Sequence, residues 1–144
     1  MEHIGIIPIR EISISLIRKG NQILVYKRND DITGQFFFRL VGGCIEFGEA
    51  SKDALKREFF EELSLEIEQV ALLEKFESIF VFNGLKRHEV VYLFESSFVD
   101  KDVYNQSVIH GLEGERKFEA VWKNISDFKI GSDILVPEKI LDYI

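Results

Sequence analysis

GGCIEFGEASKDALKREFFEELSL, residues 42–65, is the stretch that decides how the rest of the chain is read. Ala54, Leu55, Phe59 and Leu63 recur at helical spacing, so one face of a helix is apolar and seeks a core. Glu58, Glu61 and Glu62 stand at i, i+3 and i+4, which brings their carboxylates to one side of that helix. Ionised carboxylates so close repel one another. A hard cation such as Mg²⁺, Mn²⁺ or Ca²⁺ removes that cost, because these ions take oxygen ligands. Gly42 can bring a bare backbone carbonyl close to such an ion, since no side chain intervenes. The competing reading is a solvated acidic helix face. The glycine pair, Glu49 and Arg57 at fixed spacing weigh against it.

That spacing resembles the box of the Nudix family, G-x5-E-x7-R-E-U-x-E-E-x-G-U, with U a bulky apolar residue. Gly43 opens it, followed by Glu49, Arg57-Glu58, Glu61-Glu62 and Leu65. There are departures. Ser64 replaces the last glycine, Phe59 exceeds the usual aliphatic residue, and Val41 stands where many members carry proline. The resemblance implies metal binding by Gly42, Glu61 and Glu62, with Glu58 a ligand or catalytic base. Arg57 reads as a positioning residue that reaches Glu61 or Glu49; Gly43 and Glu49 complete the positioning set. Among catalytic residues the resemblance thus groups Glu58, Arg57 and Glu61. The reaction implied is hydrolysis of the pyrophosphate bond in a nucleoside diphosphate linked to another moiety. ADP-ribose, a nucleotide sugar, a dinucleotide and a nucleoside triphosphate all stay open. Mg²⁺ or Mn²⁺ is the expected cofactor. A nucleotide-sensing module without turnover is the alternative, although such modules usually lose box glutamates and here all are present.

Outside the box the signals are weaker. Glu113, Glu115 and Glu119 are candidates for a further base or ligand, and Glu115, in a polar loop before the last strand, is favoured. His88 and Glu89 open a strand, where a role near substrate competes with a structural ion pair. Arg39 and Arg28 are candidate phosphate contacts. Phe36, Phe37, Phe80, Phe82 and Tyr26 are candidates for base stacking, although such rings are more often core. His3 and His110 read as structural or surface residues. Cys44 reads as inert, with no partner to activate it.

The chain has 144 residues, enough for one domain spanning 1–144. Its hydrophobic content of 46% supports a real core. A net charge of −7 argues against a nucleic acid polymer as partner. The single cysteine cannot form an internal disulfide, which suits a cytoplasmic setting. No apolar run reaches the roughly 18 residues of a membrane span, and the N-terminus lacks signal-peptide features. A homodimer stays open.

The coarse order is strand–hairpin, strand, box helix, long antiparallel hairpin, strand, helix. Ile12 to Leu16 alternates as a half-buried strand, and Ile23 to Tyr26 pairs with it across a turn. Phe36 to Leu40 is a strand leading into the glycines, and Ile45 to Phe47 a short extended piece. Ser51 is expected to cap the box helix. Val70 to Phe82 and Val90 to Phe94 are strands joined through Asn83-Gly84, the second of them central. Asp100 to Gly114 reads as a polar connection, Phe118 to Trp122 as the last strand, and Pro137 as the start of a C-terminal helix. The class is α+β. It agrees with the α/β/α sandwich around a mixed sheet that the resemblance implies.

Overall fold

The computed structural model describes residues 7–144. Eight strands form the sheet: β1 (Arg10–Lys19), β2 (Gln22–Asn29), β3 (Phe36–Arg39), β4 (Gly42–Cys44), β5 (Ile67–Phe82), β6 (Leu85–Phe98), β7 (Val108–Glu113) and β8 (Arg116–Asn124). Helix α1 spans Ser51–Leu63 and the short α2 spans Ile125–Lys129. The backbone path is β5-β6-β1-β2-β8-β7, with β4 on β1 and β3 on β2. Among the strands of the described residues, β1–β6 is the one parallel pair. The sheet is therefore mixed, as expected.

β1 and β2 stay paired only next to their turn, at Arg18↔Ile23 and Lys19↔Gln22. They then diverge. β4 pairs with the freed edge of β1, from Ile12 to Ile14, and β3 with that of β2, from Tyr26 to Asn29. Backbone groups that separation would strand are thereby satisfied. A cleft opens where the two halves part.

Two buried clusters lie on opposite faces. One gathers Ile17, Leu24, Tyr26 and Phe94 under α1, which contributes Leu55, Phe59 and Leu63. The other gathers Ile12, Ile14, Leu16, Val91 and Leu93 with Phe128, Leu135 and Ile140. Neighbours such as Leu16 and Ile17 fall in different clusters, as strand alternation requires. Phe59 is fully buried and meets Phe98 edge-on at 6.0 Å between ring centroids. Burying such a side chain contributes about 1.5–3 kcal/mol. The bulky residue in the box is thus a core anchor.

Small residues let α1 sit close to β1. Ser13 donates its hydroxyl to the Ser51 carbonyl at 2.8 Å, and Ser15 shares a 2.7 Å hydrogen bond with Ser96. Ser51 does not cap α1. Ala50 occupies that position without a side-chain hydrogen bond, and Ser51 is already helical. The contact from Ser13 instead ties the first helical carbonyl to β1. At the other end Ser64 adopts φ 57, ψ 34 and donates its N–H to Phe60 O at 2.9 Å. That left-handed conformation is the one a glycine would take without cost.

Other expectations need correction. The extended piece after the glycines lies earlier, at Gly42–Cys44, and the chain turns at Phe47-Gly48. The Asp100–Gly114 connection contains a 3₁₀ turn, Lys101–Asn105, and the edge strand β7. Polar residues on that strand face solvent, which hid its alternation. The C-terminal segment after Pro137 is a 3₁₀ turn, Glu138–Tyr143, instead of an α-helix. Six residues are too few to favour an α-helix alone, and burial of Ile140 holds the turn in place. The Asn83-Gly84 turn forms as expected, with φ 52 and φ 75.

Candidate active site

Arg57 is the hub of the box. Its Nε and Nη2 donate to both Glu49 oxygens, at 2.8 and 2.9 Å, a bidentate pair. Nη2 also donates to the Cys44 carbonyl at 2.9 Å, and Nη1 to Glu58 at 2.9 Å and Glu61 at 3.1 Å. One guanidinium thus ties the strand, the loop and the helix together. Hydrogen bonding to Glu49 and Glu58 raises its pKa further, and the Arg57 guanidinium holds Glu49 below the ordinary carboxylate range. Both stay charged. Arg57 and Glu49, expected as positioning residues, are thus brought together by the fold.

The glycine pair makes room. A Cβ at Gly42 would overlap Ser13 O and Ile14 Cα, so glycine lets β4 close on β1. A Cβ at Gly43 would overlap the carboxylate of Glu58, so the side chain of Glu58 lies over bare backbone.

The three helical carboxylates separate. Glu61 is exposed and turned to Arg57. Glu58 also bonds to Arg57. Glu62 points inward, 8% exposed, and its Oε2 has no hydrogen-bond partner. Burial, then the charges of Glu58 and Glu113, push its pKa up to about 9. Among the described residues no three acidic, His or Cys side chains form a ready metal cage. Arg57 holds Glu58 and Glu61, while Glu62 turns inward. The donor set nevertheless suits a hard cation: a buried, orphaned carboxylate oxygen beside a second carboxylate, with glycine backbone next to them.

Glu58, Gly42 and Gly43 line a cleft of roughly 610 Å³ in the gap between the half-sheets. Its walls include Ile12 and Ile14 of β1, Tyr26 and Arg28 of β2, Phe37 and Arg39 of β3, and Phe80 and Phe82 of β5. Glu89 is only 3% exposed and pairs with Arg39 at 3.1 Å and Arg10 at 3.8 Å. Its neighbour His88 faces the other way and meets Glu77 at 2.7 Å. Strand alternation divides the His-Glu pair, so Glu89 lines the cleft and His88 is a cross-strand partner.

The acids after α1 also divide. Glu113 lines the cleft. Glu119 lines a second depression with Glu61, Glu62 and His110. Glu115, favoured from sequence, sits exposed in the tight turn between β7 and β8 and lines neither. The unread strand β7 is what carries Glu113 to the cleft. Arg10 and Arg87, both lining the cleft, escaped sequence reading because isolated arginines carry no local signal. Of the ring candidates, Phe36 is 46% exposed and outside the cleft lining, whereas Phe37, Phe80, Phe82 and Tyr26 line it. Cys44 is exposed at the cleft wall. His3 lies outside the described residues.

Together with a match of residues 8–142 to a family of pyrophosphohydrolases, a mixed sheet split over a cleft, with an arginine-braced acidic helix at its edge, marks an enzyme of that class. The chain belongs to the Nudix family: the family's NUDIX domain model matches residues 8–142. The fold is similar to a NUDIX hydrolase from Nitrosomonas europaea, at a TM-score of 0.64 and 14% identity over 94% of this chain and 85% of that one. A MutT NUDIX hydrolase from Burkholderia pseudomallei matches at 0.59 and 23% identity, covering 83% and 85% of the two chains. A UDP-X diphosphatase matches at 0.58 and 15% identity, covering 84% of this chain and 53% of that one. Among the described residues no helix is long and apolar enough to cross a membrane.

Proposed function

We propose that this protein is a divalent-cation-dependent hydrolase that cleaves the pyrophosphate bridge of a nucleoside diphosphate derivative. The observation that carries the reading is Glu62, buried with an orphaned oxygen beside Glu58, which lines the cleft. Glu62, Glu58 and the Gly42 carbonyl would hold Mg²⁺ or Mn²⁺, with Glu61 as an outer acid held by Arg57. Such a cation supplies charge neutralisation at the bridge and lowers the pKa of water. Arg57 fixes the rotamers of Glu49 and Glu58. Glu58 or Glu113 accepts the proton of the attacking water. Arg39, held by Glu89, faces the phosphates, and Phe80 and Phe37 wall the space for the nucleoside. The chain acts as one domain in the cytoplasm, where the exposed Cys44 stays reduced.

The fold similarity extends both to a MutT protein and to a UDP-X diphosphatase, so the leaving group is a matter for the cleft and not for the fold. A phosphate-release assay over ADP-ribose, nucleotide sugars, dinucleotides and nucleoside triphosphates, with Mg²⁺ or Mn²⁺, tests the reading. Turnover that survives Glu58→Gln combined with Glu62→Gln would falsify the assigned site. Nucleotide binding without turnover on any substrate would favour a sensor.

A further inference from the structure

The far end of the cleft carries cations that the cleavage chemistry does not use. Arg28 and Arg87 lie over the ring of Phe82, at 5.0 and 5.8 Å from its centroid. Among the described residues neither forms an ion pair, and the buried Nε of Arg87 has no hydrogen-bond partner. The nearby acids are taken. Glu89 serves both Arg39 and Arg10, and Glu113 is paired with Arg116. Burial, then the charge of Arg116, pulls the pKa of Arg28 below its ordinary value. Two like charges over one ring, one with a stranded donor, cost stability unless an anion is shared between them. The clustering is the more pointed in a protein of net charge −7.

The strand register places this group relative to the box. Val91 stands opposite Ile12, which stands opposite Cys44. Arg87 lies on the same face of β6, four residues further along, which is about 13 Å from that point at strand spacing. Phe80 stands opposite Arg87, so the ring wall continues to the same place. That backbone separation sets Arg87 apart from the rung that carries the glycine pair.

We infer that Arg28 and Arg87, over Phe82, form a subsite for a second phosphoryl group of the substrate, remote from the pyrophosphate that is cleaved. The inference rests on the hydrolase reading above for the other end of the molecule. The preferred substrates are then anionic at both ends. The second group is either a phosphomonoester on a ribose or the far end of a longer phosphate chain. Guanidinium forks suit either, because they bind phosphate oxygens bidentately. A neutral terminal sugar would leave both arginines unpaired.

The test pairs substrates that share one pyrophosphate bridge. ADP-ribose is compared with ADP-ribose 2′-phosphate, with Mg²⁺, in the wild type and in Arg28→Gln/Arg87→Gln. Independently, calorimetry in chelator compares AMP with adenosine 2′,5′-bisphosphate and with adenosine 5′-tetraphosphate. At least one doubly anionic probe should gain about 10-fold or more in KM or Kd over its control, and the double variant should bring the ratio to about one. A gain for the bisphosphate places the group on the ribose; a gain for the tetraphosphate alone places it on the chain. No gain for either, or a gain that persists in the double variant, overturns the subsite. Turnover without discrimination leaves the hydrolase reading standing and removes the subsite. Discrimination in binding without turnover does the reverse.

Discussion

The backbone of Gly43 lies so close to the carboxylate of Glu58 that a methyl group at position 43 would overlap it. A strand residue and a helix residue are thereby fitted together, and Glu58 is aimed into the cleft. Gly43→Ala should displace Glu58 while leaving most of the fold intact. Misplacing a reacting group by about 1 Å can cost about 10²-fold, so kcat/KM should drop by that order. Wild-type kinetics in this variant would remove the positioning role of Gly43.

Arg57 should not tolerate lysine. Lysine keeps the charge but loses the fork that binds both Glu49 oxygens while also reaching Cys44 O, Glu58 and Glu61. Arg57→Lys should lower stability by about 1–3 kcal/mol in denaturant titration, the scale of a charge-assisted hydrogen bond. It should also lower kcat, because Glu58 and Glu49 lose their common anchor. An unchanged midpoint together with unchanged kcat would contradict the hub.

Glu62 makes the cation-free protein pH-sensitive. Its pKa is raised in the fold, to about 9, from the 4.5 of an unperturbed glutamate. The folded state therefore holds a proton that the unfolded state has released, and stability declines as pH rises from about 4.5 to about 9. In chelator, the melting temperature should fall across that window, and Glu62→Gln should flatten the slope. Mg²⁺ or Mn²⁺ should restore stability most strongly at the alkaline end, where the cation need not displace the proton. A melting temperature that rises over the window in chelator would show that Glu62 is ionised in the fold.

Ser64 holds a left-handed conformation at the end of α1 without being glycine. Ser64→Gly should raise stability by about 1 kcal/mol, with activity little changed. Thermal melting decides it. A lower or equal melting temperature would mean that the serine backbone is not strained there.

The two acids of the β7–β8 hairpin should differ in effect. Glu113 lines the cleft and its charge reaches Glu62, whereas Glu115 sits in the exposed turn. Glu113→Gln should lower kcat by about 10-fold or more if it relays a proton. Glu115→Gln should change kcat by less than about twofold. The opposite order would return the extra acidic role to Glu115.

The reading of the box was possible because its information is local. Helical spacing sets which face of Ser51–Leu63 is buried, and the i, i+4 relation of Arg57 and Glu61 needs no distant partner. The Asn83-Gly84 turn was legible for the same reason, since its backbone demands those residues. Strand β7 was not. It is a polar edge strand whose identity comes from pairing with β8, and pairing is a property of two segments. Ser51 is not the cap because the helix begins one residue earlier than the serine suggests, with Ala50 in the extended cap position.

The sequence by itself determined the family, the acidic helix, the arginine that braces it and the strained residue that ends it. Each depends on residues within a few turns of one another. Tertiary structure decided which acid outside the box lines the cleft, which member of the His88-Glu89 pair meets it, and that Arg28 and Arg87 share one ring. These depend on strand register and on the divergence of β1 from β2. A one-residue change in register moves a side chain to the other face, and no local pattern in the chain records that choice.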